Sequence, residues 1–445
     1  MEFRHRNQNV QNRQGSPLRY GLDDWPPLSQ AVLFGLQWAA IVIPSIIVLG
    51  HVVASLQFTE FTDRTPYLQK LFSVTAVTLM IQVLWGHRLP LIVGPATVLL
   101  IGVIASQGFP VGDIYTAIMI GGVLLAVLAL TGLFAQVRKV FTDRVIAAVL
   151  LLIAFTLAPT ILKLLIAQGS GVQPFPNLVF GLLLLTGMFA LYRWLPGIWK
   201  ATLVVWTMVF GSLLYFLIFP GASHTSFQAQ EWMSFGFLAN FGFRPALNPG
   251  VLISFLICYL ALAINELGSI QSMNRLLEVQ DMDRRIFRGI TVTGIGNFLA
   301  GCLGVVGLVD YSLSPGVVMS TGCASRFTLI PAAVIVGIVG LSPTAIAFLG
   351  GVPSVIVGCV MLYILTSQIA AGLLVANQNR GFQFEDGLVI GLPVLLGTVV
   401  SFIPADVLTT FPVVLRPVLG NGFVVGTVVA FLLDRTMVRH KEEDC

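Results

Sequence analysis

From Phe327 to Asn379 the chain carries no aspartate, glutamate, lysine or arginine. A helix needs ~20 apolar residues to cross ~30 Å of hydrocarbon, so this run alone is long enough for two crossings. Comparable runs recur at Trp25 to Thr59, Leu89 to Gly112, Ile114 to Val137, Leu164 to Tyr192, Ala201 to Gln230, Pro245 to Asn265 and Gly289 to Val309. Charged residues make up only 10% of the chain, where a soluble domain carries roughly a quarter. The chain is therefore read as an integral membrane protein, and a soluble enzyme fold is excluded. Its formal charge of +4 calls for no nucleic-acid partner.

Dividing the long runs at Gly/Pro breaks, and adding Thr65 to Gly86, Val145 to Ile166, Gly387 to Ile403 and Val413 to Asp434, gives about 14 transmembrane segments. An even number places both termini on one side. All but five of the 24 basic residues then fall on one face, the exceptions being Arg64, Lys70, Lys163, Arg244 and Arg416. Positive charge marks the cytoplasmic side, so both termini are expected there, in a multi-pass protein of the cell membrane. The expected organisation is a cytoplasmic tail over 1–24, a first repeat of seven spans over 25–219, an external loop over 220–248, a second repeat over 249–434 and a cytoplasmic tail over 435–445. Residues 1–16 are rich in Gln, Asn and Arg and read as a disordered tail without a signal-peptide core.

Two spans are interrupted in a way that simple membrane helices are not. One reads Leu91-Ile92-Val93-Gly94-Pro95-Ala96-Thr97 and the other Asp310-Tyr311-Ser312-Leu313-Ser314-Pro315-Gly316. They are the third and tenth spans, hence the third of each set of seven. An odd-numbered repeat unit must be inverted relative to its partner, and paired breaks at matching places point to a substrate site near the midplane. Each break is expected to be part extended strand and part short helix, with proline in the first turn of the half-helix. Extended backbone at that depth must be buried in protein or line a cavity.

Glu266 is a carboxylate inside a segment, Val251 to Met273, that holds no other charge. An ionisable group in a span is a functional candidate by default. At 1.5 Å per residue it lies roughly 24 Å from the outer start of its helix near Gly250, close to the midplane. Asn265, Gly268 and Ser269 make its surroundings polar. With the amides around Ala96, Ser314 and Gly316, its carboxylate offers, in principle, acceptors and donors to a solute edge that presents N–H and C=O groups side by side. Tyr311 and Trp38 are candidates to stack on a planar solute, the other reading being packing or an interface anchor. Asp310 is either a second carboxylate of this site or a solvated residue at its outer mouth. The cysteines show no metal or disulfide spacing, and no HExxH, GxSxG or GxGD pattern supplies an enzyme centre; no cofactor is expected.

These residues resemble the nucleobase/ascorbate transporters, which include bacterial uracil and xanthine permeases. Ala263-Ile264-Asn265-Glu266-Leu267-Gly268-Ser269-Ile270 is similar to the family's eighth span, where a glutamate followed two residues later by glycine binds the base. Arg288-Gly289-Ile290 through Gly294-Ile295-Gly296-Asn297, with Ala300-Gly301 and Gly304, resembles its ninth span. Gly351-Val352-Pro353-Ser354-Val355-Ile356-Val357-Gly358 and Thr410-Phe411-Pro412 with Leu415-Arg416 resemble its later spans, and Gly35-Leu36-Gln37-Trp38 stands where Gln-His is usual. The tenth-span signature matches at Gly316, Thr321 and Gly322 but has Leu313 for a polar residue and Ser314 for asparagine.

The resemblance implies an all-α membrane fold of 7+7 inverted repeats, with spans 1–4 and 8–11 as a core and 5–7 and 12–14 as a gate, an elevator-like movement and a homodimer. It implies uptake of a nucleobase such as uracil or xanthine by proton symport. The expected substrate contacts are Glu266, Gly94, Pro95, Ala96, Tyr311, Ser312, Leu313, Ser314, Gly316, Gln37 and Trp38, with Glu266 and Asp310 handling the proton. A small-anion transporter of the same architecture and a channel are the alternatives.

Overall fold

The computed structural model describes residues 18–58, 61–133, 141–167, 172–196, 199–200, 202–220, 232–235, 237, 244–377 and 382–442. The first half runs α1 (Leu28–Gln57), α2 (Phe61–Leu84), β1 (Val93–Pro95), α3 (Thr97–Ala105), α4 (Val111–Leu130), α5 (Asp143–Thr156), α6 (Ala158–Leu165), α7 (Pro174–Trp194) and α8 (Leu203–Ile218). The second half opens with α9 (Pro249–Leu277), α10 (Met282–Leu303), β2 (Leu308–Asp310) and α11 (Ser314–Thr321). It continues through a 3-10 turn at Arg326–Thr328 to α12 (Leu329–Leu341), α13 (Pro343–Gly350), α14 (Ser354–Ala376), α15 (Phe384–Ser401), α16 (Ala405–Thr409), α17 (Arg416–Leu419) and α18 (Gly422–Glu442).

Among the described residues nine helices are long and apolar enough to cross a membrane, and the segment from Arg326 through Gly350, bent by 91°, forms a tenth when taken as one span. With α8, α18 and the two strand–helix segments, the elements follow the spans read from the sequence in order. The repeated pattern of strand then short helix, β1–α3 and β2–α11, occurs once in each half.

The helices pack in two groups. In one, α4 lies along α10, α2 along α12, and α9 along α3 and α4; in the other, α5 packs on α14, α15 and α18. Hydrocarbon offers helices no hydrophobic drive to associate, so small residues that let backbones meet supply the contact. A Cβ on Gly122 would sit 2.6 Å from the Phe298 nitrogen, and one on Gly294 2.6 Å from the Ala126 nitrogen. In the second group Gly397 meets the Gly422 carbonyl in the same way, at 2.6 Å.

β1 and β2 pair antiparallel with Val93 opposite Asp310 and Pro95 opposite Leu308. Two halves related by inversion bring the same element in from opposite directions, which is what an antiparallel pair requires. Three-residue strands leave backbone groups that water cannot reach, and side chains fill the gap. Asn297 on α10 accepts from the Leu308 N–H at 2.8 Å and donates to its carbonyl at 2.9 Å, so one amide closes the free edge of β2. Ser314 accepts the Ile92 N–H at 3.1 Å, and Ser269 donates to the Asp310 carbonyl at 2.8 Å.

Four expectations change. Proline does open α11, where Pro315 lies in the first turn, but Pro95 ends β1 and Ala96 caps α3, so the two prolines do not occupy equivalent places. The last helix continues through Glu442 rather than ending near Asp434. Residues 18–24, expected as the end of the N-terminal tail, are tied to the end of α11: the Arg19 N–H donates to the Gly322 carbonyl at 2.7 Å and Tyr20 bridges Cys323. The first span starts at Leu28, with Trp25 stacked on Phe327 outside it. Most of the loop expected over 220–248, residues 1–17 and the last three residues lie outside the described residues.

Candidate functional site

Glu266 reaches the strand crossing because α9 is fixed at its start. The Asn248 side chain accepts the Gly250 and Val251 N–H groups at 2.9 and 3.3 Å, and Pro249 occupies the first turn, where its missing N–H costs nothing. Sixteen residues on, the Glu266 carboxyl is fully buried beside β2. One oxygen, Oε2, accepts the Asp310 backbone N–H at 2.8 Å, and the other, Oε1, accepts the Thr293 hydroxyl at 2.5 Å. Buried carboxyls need such partners, and here both oxygens have one.

Asp310 is also fully buried, which settles the two sequence readings of it against a solvated mouth. Its Oδ2 lies 3.1 Å from Nε2 of His87, in the turn after α2, and both side chains are inaccessible to solvent. The Leu89 N–H donates to His87 Nδ1 at 2.9 Å, so the ring hydrogen sits on Nε2 and points toward Asp310. The hydrogen lies off the direct line, and neither carboxyl oxygen of Asp310 has a full hydrogen bond among the described residues.

The structure places the other predicted residues unevenly. The N–H groups proposed as substrate donors already have acceptors: Ala96 donates to Gly307 at 2.8 Å, Ser314 to Tyr311 at 3.2 Å and Gly316 to Leu313 at 3.0 Å. Tyr311 lies across β1, its hydroxyl donating to the Pro95 carbonyl at 3.1 Å. A Cβ on Gly94 would fall 2.5 Å from the tyrosine Cζ, so Gly94 makes room for that ring and Tyr311 covers Gly94 and Pro95. Trp38, 3% exposed, donates Nε1–H to Thr328 at 3.0 Å and is built into packing rather than free to stack. Gln37 is buried with no partner for its amide nitrogen among the described residues.

What remains open is one face. Gly268, Ser312, Leu313 and Gly316 are exposed, and a side chain at Gly268 or Gly316 would meet nothing within 4 Å. On this face Ser312 Oγ stands 3.0 Å from the buried Ser269 Oγ, which donates to the Asp310 carbonyl. Asn265, Gly268 and Ser272 continue it along α9 toward a cavity of about 310 Å³ lined by Gln271, Asn274, Arg275, Met282, Asp283 and Ile286. Glu266 therefore lies one layer beneath the open surface. Sequence reading missed His87, Thr293 and Gln82; a histidine next to a span end carries no signal until the fold brings Asp310 to it.

The arrangement of a buried carboxyl under a polar face at crossed broken segments suits a carrier, and similarity to known proteins decides the family. The family model described as "Permease family" (Xan_ur_permease) matches residues 29–406. The chain belongs to this family of nucleobase/ascorbate transporters. It is 25% identical, over 97% of this chain and 95% of the other, to a Clostridium perfringens protein assigned by name as a purine permease, CPE0397. Identity to the uric acid permease PucJ of Bacillus subtilis is 23%, covering 84% and 85% of the two chains. Among solved structures, the transmembrane domain of the cyanobacterial bicarbonate transporter BicA superposes with a TM-score of 0.60 at 20% identity, covering 84% of this chain and 96% of that one. Murine Slc26a9, an anion transporter in the inward-facing state, gives 0.58 at 12% identity over 94% and 70%. These likenesses carry the fold, a 7+7 inverted repeat. This family member is thus a multi-pass membrane permease.

Proposed function

We propose that this permease takes up a purine or related nucleobase as a secondary active transporter, by proton symport. The observation that carries the reading is Glu266, a buried carboxyl held at the crossing of the two broken segments directly beneath an open polar face. The relatives named as purine and uric acid permeases support the substrate class. On this reading the base lies over Gly268, with the hydroxyl of Ser312 and the amide of Asn265 meeting its polar edge and Leu313 packing on its ring. Glu266 takes and releases the coupling proton, and the helix group containing α9–α11 moves against the group containing α5, α14 and α15, with both termini cytoplasmic and two copies forming a dimer.

Proteoliposome uptake of labelled xanthine, urate and uracil tests this. Accumulation should follow an inward proton gradient, and Glu266→Gln should lose that dependence. Binding of small anions with none of any nucleobase, read as thermal stabilisation of the purified protein, would sink the substrate class.

A further inference from the structure

Both oxygens of Glu266 trace back, one through helix α10 and the other through strand β2, to one short stretch at the end of α2. Along one arm, Gln82 donates Nε2–H to the Thr293 hydroxyl at 2.9 Å, which forces the threonine's own hydrogen toward Glu266 Oε1. Along the other, His87 Nε2 faces the Asp310 carboxyl, and the Asp310 backbone N–H donates to Glu266 Oε2. The His87 backbone N–H donates in turn to Gln82 Oε1 at 3.3 Å, so the two arms meet. The five residues form a polar ring that is buried throughout, with His87 and Asp310 joined by a 3.1 Å approach rather than a hydrogen bond.

We infer that Gln82 and His87 are positioning residues of the transport site, which fix the orientation of Glu266 through Thr293 and Asp310. This deepens the transport reading above and rests on it only for the role of Glu266.

The stretch that carries them is itself held in place. Arg88 has φ +55°, a left-handed conformation that costs an L-residue energy and persists only when its surroundings impose it. Arg285 of α10 imposes it, donating from Nη1 to the carbonyls of His87 and Arg88 at 3.0 and 2.9 Å. Gln82 Nε2 also donates to the Gly289 carbonyl at 2.9 Å, which ties the same stretch to α10 a second time. The chain thus holds a strained turn in place to present one amide and one imidazole to the carboxyl network. Simple packing would need neither group. The ionisable groups around Glu266 are Asp310 from β2 and His87 from the turn, with Arg285 beyond them.

The test is pH-difference infrared spectroscopy of the purified full-length protein, with the Glu266 signal identified by its loss in Glu266→Gln. Thr293→Val, which removes a hydrogen bond to the carboxyl, should move the Glu266 titration midpoint by more than about one pH unit, and His87→Phe, which removes the imidazole 3.1 Å from Asp310, should also move it. His87→Gln, whose amide can reach the position of Nε2, should restore it. In uptake, the two cutting variants should raise KM about tenfold at equal folded yield. An unmoved midpoint in both cutting variants overturns the inference, as does failure of His87→Gln to restore it. Should His87→Phe not fold, His87→Leu cuts the same arm and is read in the same way. The infrared result stands whether or not a nucleobase is the solute, so failure of the substrate reading shows separately, as absent uptake by the unaltered protein.

Discussion

At the scale of single residues, the open face gives distinct expectations for neighbouring side chains. Ser312 is exposed with its hydroxyl 3.0 Å from that of Ser269, so on the proposed function Ser312→Ala removes a solute contact without leaving a buried group bare. It should raise KM about 3- to 30-fold while leaving the melting temperature unchanged. Leu313 is 40% exposed at the place where the family carries a polar residue. Leu313→Gln should therefore change the ranking of nucleobases in a competition assay more than it changes the maximal rate. Glu266 was legible as a lone charge in an apolar run, and the structure buries it beside β2. Asp310 was legible as a second carboxylate in the tenth span, whereas Gln82, Thr293 and His87 were not, because their hydrogen bonding depends on separate segments meeting and none of the three is unusual in its own segment.

At the scale of elements, the strand–helix breaks were visible in the sequence as Gly-Pro and Ser-Pro-Gly, whereas their register was not. Proline restricts the backbone wherever it occurs, so it announces a break without saying whether it ends a strand or starts a helix. Pro95 ends β1 and Pro315 starts α11, and only pairing with the opposite strand distinguishes them. Two substitutions test how the breaks are held. Asn297→Leu keeps the volume roughly but leaves the Leu308 N–H and carbonyl without their partner. It should cost about 2–5 kcal/mol, seen as a clear fall in melting temperature in detergent. Gly94→Ala pushes a methyl into the Tyr311 ring at 2.5 Å and should cost about 1–3 kcal/mol. Tyr311→Phe should not fully restore stability in Gly94→Ala, since it removes the hydroxyl at 2.5 Å but leaves the ring carbon at the same distance.

At the scale of the whole molecule, the expected orientation follows from the excess of basic residues on one face. Gln107, exposed between α3 and α4, falls on the outer side, and Glu278, at the end of α9, on the cytoplasmic side. In a cysteine-free background, Gln107→Cys should react with an impermeant maleimide in intact cells, and Glu278→Cys only after the membrane is opened. The reverse pattern would invert the whole assignment. Hydrophobic runs and charge bias made the membrane architecture legible, because both act through solvent and need no partner. The two-group packing needed the structure, since contacts such as Gly122 with Phe298 or Gly397 with Gly422 join residues that nothing in the sequence links.

The pairing of Val93 with Asp310 also sets an order in time. A chain synthesised at ~5–20 residues per second needs roughly 10–40 s to pass from the first of these residues to the second. Throughout that interval β1 has entered or approached the bilayer with its partner strand unmade, and its backbone groups find no lasting satisfaction in lipid. The first half cannot finish folding on its own. Completion must wait for the ribosome to reach β2, and until then the nascent third span depends on the insertion machinery, or on water within it, for its hydrogen bonds.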